Sequence, residues 1–164
     1  MPPNRETRVQ LSVLDRLLDD EPKKRHEAQA TPSQTVARLK DALRRDLEWL
    51  LNTRALPGDT GEEAETAESA VSGYGLPDFT CLSTSEQTEA LVERAIQRAL
   101  EIFEPRLVSV TVKAVKAAKA EEQSYTGILH FLITGWLRMD PAPVQVSFDT
   151  RLQLARGEYR VAGG

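Results

Sequence analysis

Cysteine is almost absent from this 164-residue chain: Cys81 is the only one. A single thiol cannot build a disulfide framework or a cysteine-rich zinc site, and no basic neighbour in sequence marks Cys81 as a nucleophile. Histidine is nearly as scarce. His26 falls in a charged stretch and His130 in an apolar one, without the paired spacing that metal ligation needs. Aromatic residues make up 5% of the chain, too few for sugar-stacking surfaces. Long apolar runs are missing too. The longest, Ile128 to Leu137, is interrupted by His130 and Thr134 and is too short to span a bilayer as a helix. Residues Met1 to Arg5 open without the apolar core of a signal peptide. The net charge of −4, from 21 basic and 25 acidic residues, argues against a binder dominated by nucleic-acid phosphates. These absences point to an intracellular chain with no cofactor, no metal site and no catalytic centre. Its length suits one domain burying roughly 70% of its unfolded surface.

The residues present divide the chain into helices followed by strands. Val13, Leu14, Leu17 and Leu18 predict a short amphipathic helix over 8–19. The charged segment that follows, bounded by Pro22 and Pro32, reads as a linker. This first helix is therefore expected to dock either on the body of the protein or on another protein. The boundary falls at 32, with a single domain expected over 33–164. Ser33 is a candidate N-cap for a second helix, whose apolar stripe is Val36, Leu39, Leu43, Leu47 and Leu50. Arg45 precedes Trp49 by four residues, the spacing for a guanidinium to stack on the indole. Asp59, Glu62, Glu63, Glu65 and Glu68 predict a solvated acidic loop, with a short helix possible over its end up to Ser72. Tyr74 and Phe79 are expected to anchor the turn-rich segment between them.

Ser83 and Glu86 read as a capping box opening a third helix, with Val92, Ile96, Ala99, Leu100 and Phe103 on its buried face. That helix runs into Glu104-Pro105-Arg106. Pro105 is a natural place for helix to give way to strand, and Val108, Val110 and Val112 then alternate as a strand does. Glu104 is the awkward residue, because a carboxylate at a helix C-terminus meets the negative end of the macrodipole. It calls for a cationic partner, either Arg106 or a group outside the chain.

In Ile128 to Leu137, Leu129, Phe131 and Ile133 share one face while Ile128, Leu132 and Trp136 share the other. That pattern suits a central strand covered on both faces, or covered on one by a partner. Two further strands follow, one alternating from Val144 and a short last one over Glu158 to Val161, whose edge is expected to expose backbone groups for pairing. The fold class is α+β: N-terminal helices packed on a C-terminal antiparallel meander of about four strands.

Four stretches carry a family resemblance: Leu14-Asp15-Arg16-Leu17; the run Arg44 to Arg54, RRDLEWLLNTR; Tyr74-Gly75-Leu76-Pro77-Asp78; and Phe103-Glu104-Pro105-Arg106-Leu107. In this order they resemble the TssE family, baseplate wedge subunits of type VI secretion systems, which are similar to the small wedge protein of contractile phage tails. The resemblance implies a non-enzymatic cytoplasmic part of a membrane-docked baseplate. It implies joining to the TssF–TssG core bundle, association with TssK, and templating of the sheath built by TssB and TssC. No nucleic acid and no direct membrane insertion is implied. It places partner binding on Glu104, Pro105 and Arg106, and on Arg45, Asp46 and Glu48 of the second helix. An internal salt bridge that only shapes the turn is the alternative at Glu104 and Arg106. At the level of function, the alternative is a lysozyme-type cell-wall (peptidoglycan) hydrolase, an old label of the phage relatives.

Overall fold

The computed structural model describes residues 32–55, 73–116, 127–139 and 142–164. The helix expected over 8–19, its linker and the acidic loop lie outside them. Helix α1 spans Pro32–Asn52 and α2 spans Glu86–Phe103. They are followed by β1 (Leu107–Ala114), β2 (Ile128–Leu137), β3 (Val144–Gln153) and β4 (Glu158–Gly163). The strands form one antiparallel meander in chain order, so the α+β arrangement is as the sequence predicts.

Both helices contribute to one core with the sheet, α2 packing chiefly on β1 and α1 on β4. The stripe Leu39, Leu43, Leu47 and Leu50 of α1 is buried, as are Val92, Ile96, Ala99 and Leu100 of α2. They meet Leu129, Phe131, Ile133 and Leu137 of β2 and Val146, Phe148 and Leu152 of β3. Each such valine, leucine, isoleucine or phenylalanine, once buried, contributes about 1.5–3 kcal/mol. The strand alternation works as physics requires: odd positions of β2 enter the core, and Trp136 on the other face is 43% exposed. Of the two readings of β2, the described residues therefore show cover on one face only.

Three local expectations change. Helix α1 already includes Pro32, so Ser33 lies inside the first turn instead of capping it. Proline suits that place, since its missing amide hydrogen would have no helical acceptor there. The N-cap of α2 is Ser85, not Ser83. Ser85 has extended backbone (φ −153°), and its hydroxyl accepts from the Thr88 amide at 3.1 Å. The Thr88 hydroxyl reaches back to the Ser83 carbonyl at 2.7 Å, so Ser83 serves through its backbone. Glu86 and Glu89 then sit in the first turn, where the macrodipole favours them.

The valine alternation in β1 also fails to hold throughout. The register jumps between Val108 and Thr111, with Ser109 at φ 52°. This bulge inserts a residue and switches the parity of the strand. Val108 therefore pairs with exposed Trp136 on the outer face, whereas Val112 pairs with buried Ile133 in the core.

The end of α1 is tied to the segment before α2. The Thr53 carbonyl accepts from the Leu76 amide at 2.8 Å, and the Ala55 amide donates to the Leu76 carbonyl at 3.0 Å. Gly75 (φ 119°) makes this approach possible, because a Cβ there would run into the Thr53 carbonyl. Gly75→Ala is expected to destabilise the chain by at least about 1–3 kcal/mol from backbone strain alone, read as a lowered denaturant midpoint. An unchanged midpoint would contradict this account of the junction.

Candidate functional site

The sequence candidates converge where α1, the end of α2 and the start of β1 meet. Glu104 is the C-cap of α2: its amide donates to the Leu100 carbonyl at 3.0 Å, and its carbonyl accepts from the Leu107 amide at 3.0 Å. Chain reversal through exposed Pro105 brings Arg106 back over it. The Arg106 Nε donates to Glu104 Oε1 at 2.6 Å and Nη2 donates to Oε2 at 2.7 Å, a bidentate fork. The same Nη2 also donates to Asp46 Oδ2 at 2.7 Å, on α1. The cationic partner that Glu104 calls for is therefore Arg106, within the chain.

This clasp continues along α1. Asp46 Oδ1 accepts from Nε and Nη2 of Arg45 at 3.2 and 3.0 Å. The Arg45 guanidinium carbon lies 5.2 Å from the ring centroid of Trp49, the stacking that the i,i+4 spacing predicts. The line from Glu104 to Trp49 runs from 6% exposed to 52% exposed. Below it Tyr74 packs edge-on against Phe103 with ring centroids 5.2 Å apart. Burial first, then the neighbouring Asp46 and Glu104 carboxylates, raise the Tyr74 hydroxyl above its ordinary pKa, so it stays protonated at neutral pH.

The electrostatics explain the geometry. Glu104 is buried at the unfavourable end of a helix dipole, so its charge must be offset locally. The Glu104 hydrogen bonds raise the Arg106 pKa further, outweighing the opposing effect of burial. Arg106 Nη1 is buried without a hydrogen-bond partner, leaving one donor of the fork unused.

Of the six sequence candidates, four share this network: Arg45, Asp46, Glu104 and Arg106. Pro105 lies exposed between two of them. Glu48 does not join it; its side chain stands 3.8 Å from Arg44 near the surface. Sequence reasoning named Asp46 but not its bond to a residue 60 positions away. A signal was there: Asp46 falls three residues after buried Leu43 and four before buried Leu50, on the margin of the apolar stripe. An acidic residue so placed needs a cation from the element packed alongside. Arg106→Ala is expected to cost about 3–5 kcal/mol, because it strands the Glu104 carboxylate. Replacing both residues by leucine should recover most of that loss in the same urea titration. Equal losses in the single and double variants would show that the pair does not act as a unit.

The carboxylates of Glu104 and Asp46 are thus held by one guanidinium instead of facing each other across a groove, which does not suit them to glycoside cleavage. The described residues hold no group of three or more His, Cys, Asp and Glu placed to bind a metal, and no helix long and apolar enough to cross a membrane. A family model described as baseplate wedge protein gp25 matches residues 37–142, well over half of the chain and every residue of the clasp. Neither a curated protein nor a solved structure matches it. The chain belongs to the gp25 family of baseplate wedge proteins, structural parts of phage-tail-like baseplates.

Proposed function

We propose that the chain is the TssE-type wedge subunit of a type VI secretion baseplate, joining the TssF–TssG core bundle through the α1–α2–β1 junction. The observation that carries this reading is the clasp itself. Arg106 fixes Glu104 and Asp46 internally, so Glu104, Asp46 and Arg106 set the shape of a surface whose outward members are Pro105, Arg45 and Trp49. Trp and Arg are the residue types that most often anchor protein interfaces, and exposed Trp49 is already stacked on half-buried Arg45 before a partner arrives. Glu48 takes part at the rim, beside Arg44. TssK joins through the same assembled wedge, at the cytoplasmic, membrane-docked baseplate.

The second half of the reading is that the four-stranded sheet templates the first ring of the TssB–TssC sheath. Its support is an antiparallel sheet that ends in the short strand β4, with one face left uncovered by the described residues. No cofactor or catalytic step enters this role.

Trp49→Ala touches an exposed side chain and is expected to leave folding intact. It should cut co-purification with TssF–TssG by on the order of ten-fold or more, the effect of losing an interface anchor. Wild-type recovery of the complex would reject this docking face. Prolines placed in β3 or β4 that preserve the fold should slow sheath assembly, and an unchanged rate would reject the templating half.

A further inference from the structure

Strand β4 closes the sheet, and one of its residues is held from outside. The Asn52 side chain, at the end of α1, donates from Nδ2 to the Tyr159 carbonyl at 2.9 Å and accepts at Oδ1 from the Tyr159 amide at 2.9 Å. This is the two-bond exchange that an opposing residue makes in a hydrogen-bonded antiparallel pair. Nδ2 also donates to the Glu48 carbonyl at 2.7 Å, which fixes the carboxamide to the helix end. The opposite edge of the sheet has a lighter cover, the Ala114 amide of β1 donating to Glu93 Oε2 of α2 at 3.1 Å.

Backbone groups alternate in direction along a strand. Since both Tyr159 groups point away from β3, those of Val161 and the Gly163 amide do so too, in the register that pairs Tyr159, Val161 and Gly163 with Leu152, Thr150 and Phe148, whereas Gly163, at φ 90°, departs from extended backbone before its carbonyl. That outward edge is self-complementary. A second copy set antiparallel about a two-fold axis at Val161 would match Val161 with Val161 and, twice, Tyr159 with Gly163. The Val161 match exchanges two bonds and each Tyr159 carbonyl would accept from a Gly163 amide, and Asn52 pre-empts both matches that use Tyr159. The same register sets Arg160 opposite Ala162. Moving the axis to Arg160 would set two guanidinium groups opposite each other, which like-charge repulsion disfavours. Of these two self-pairings, charge favours the one centred on Val161.

We infer that Asn52 is an edge guard, whose carboxamide substitutes for a strand and keeps β4 from pairing with β4 of a second copy. The inference stands apart from the wedge reading, since it concerns the isolated chain. The full chain is followed by sedimentation velocity across a concentration series, with circular dichroism as the check on folding. Wild type stays monomeric, and Asn52→Ala self-associates on the order of ten-fold more tightly or better, as expected for releasing even one net hydrogen bond and more for a pair. Ala162→Arg added to Asn52→Ala returns the chain to monomer by facing Arg160, and Ala162→Glu tightens the dimer. Asn52→Asp keeps the acceptor for the Tyr159 amide but loses the donor, so it falls between and serves where the alanine variant does not fold. A folded Asn52 variant that is as monomeric as wild type overturns the guard, as does a dimer indifferent to the charge at position 162.

Discussion

The Arg106 guanidinium is the point on which the arrangement of elements depends. It binds the carboxylate of Glu104, the C-cap residue of α2, it lies in the turn into β1, and it reaches Asp46 on α1. Three elements are thereby referred to one planar group. A lysine could not do this, because its point charge lacks the fork that meets two carboxylate oxygens at once while still reaching a second acid. Glu104, at the wrong end of a helix dipole and out of water, is tolerable only because that fork is there. Desolvating such a pair adds little net stability. Its value lies in geometry: the buried charges leave the helices and the sheet few ways to meet.

What the sequence could reveal follows from range. The helix stripes and the β2 alternation are periodic, so three or four residues suffice to expose them, and the structure keeps them. The Arg45–Trp49 stack is one helical turn and was equally legible. Errors arose where neighbouring residues of the same type compete. Ser83 and Ser85 each offer a hydroxyl near the start of α2, and the winner depends on where Thr88 points. The bulge at Ser109 was invisible, because valines at alternate positions describe an unbroken strand equally well. Beyond local range the sequence falls silent. The Asp46–Arg106 bond spans 60 positions, and the Asn52–Tyr159 bonds span 107. Asp46 and Arg106 were each visible alone, but their meeting was not, and Asn52 and Tyr159 carried no signal of their own.

The site separates two tasks that a motif alone conflates. Glu104 and Arg106 look like contact residues in sequence because both are charged and flank a proline. In the fold they satisfy each other, and the exposed positions are Pro105 beside them and Trp49 at the far end of the chain of charges. A residue can thus be indispensable to docking without being the one that touches. Its loss would alter the angle between α1 and β1, which the contact surface inherits.

The same economy bears on the sheet. A meander of four strands has two edges, and an assembly part cannot simply bury them in a larger body before it is assembled. Here each edge meets a polar side chain from the helix lying nearest: Asn52 of α1 on β4, and Glu93 of α2 on β1. The helices therefore do more than cover the core face. Their outer margins supply hydrogen-bonding groups in the plane of the sheet, where backbone groups would otherwise be open to any extended chain. Asn52 is the stronger cover, since a carboxamide matches both a donor and an acceptor, whereas the Glu93 carboxylate can only accept. The sheet is thus better shielded at β4 than at β1, and the asymmetry follows from which side-chain chemistry each helix brings to its margin.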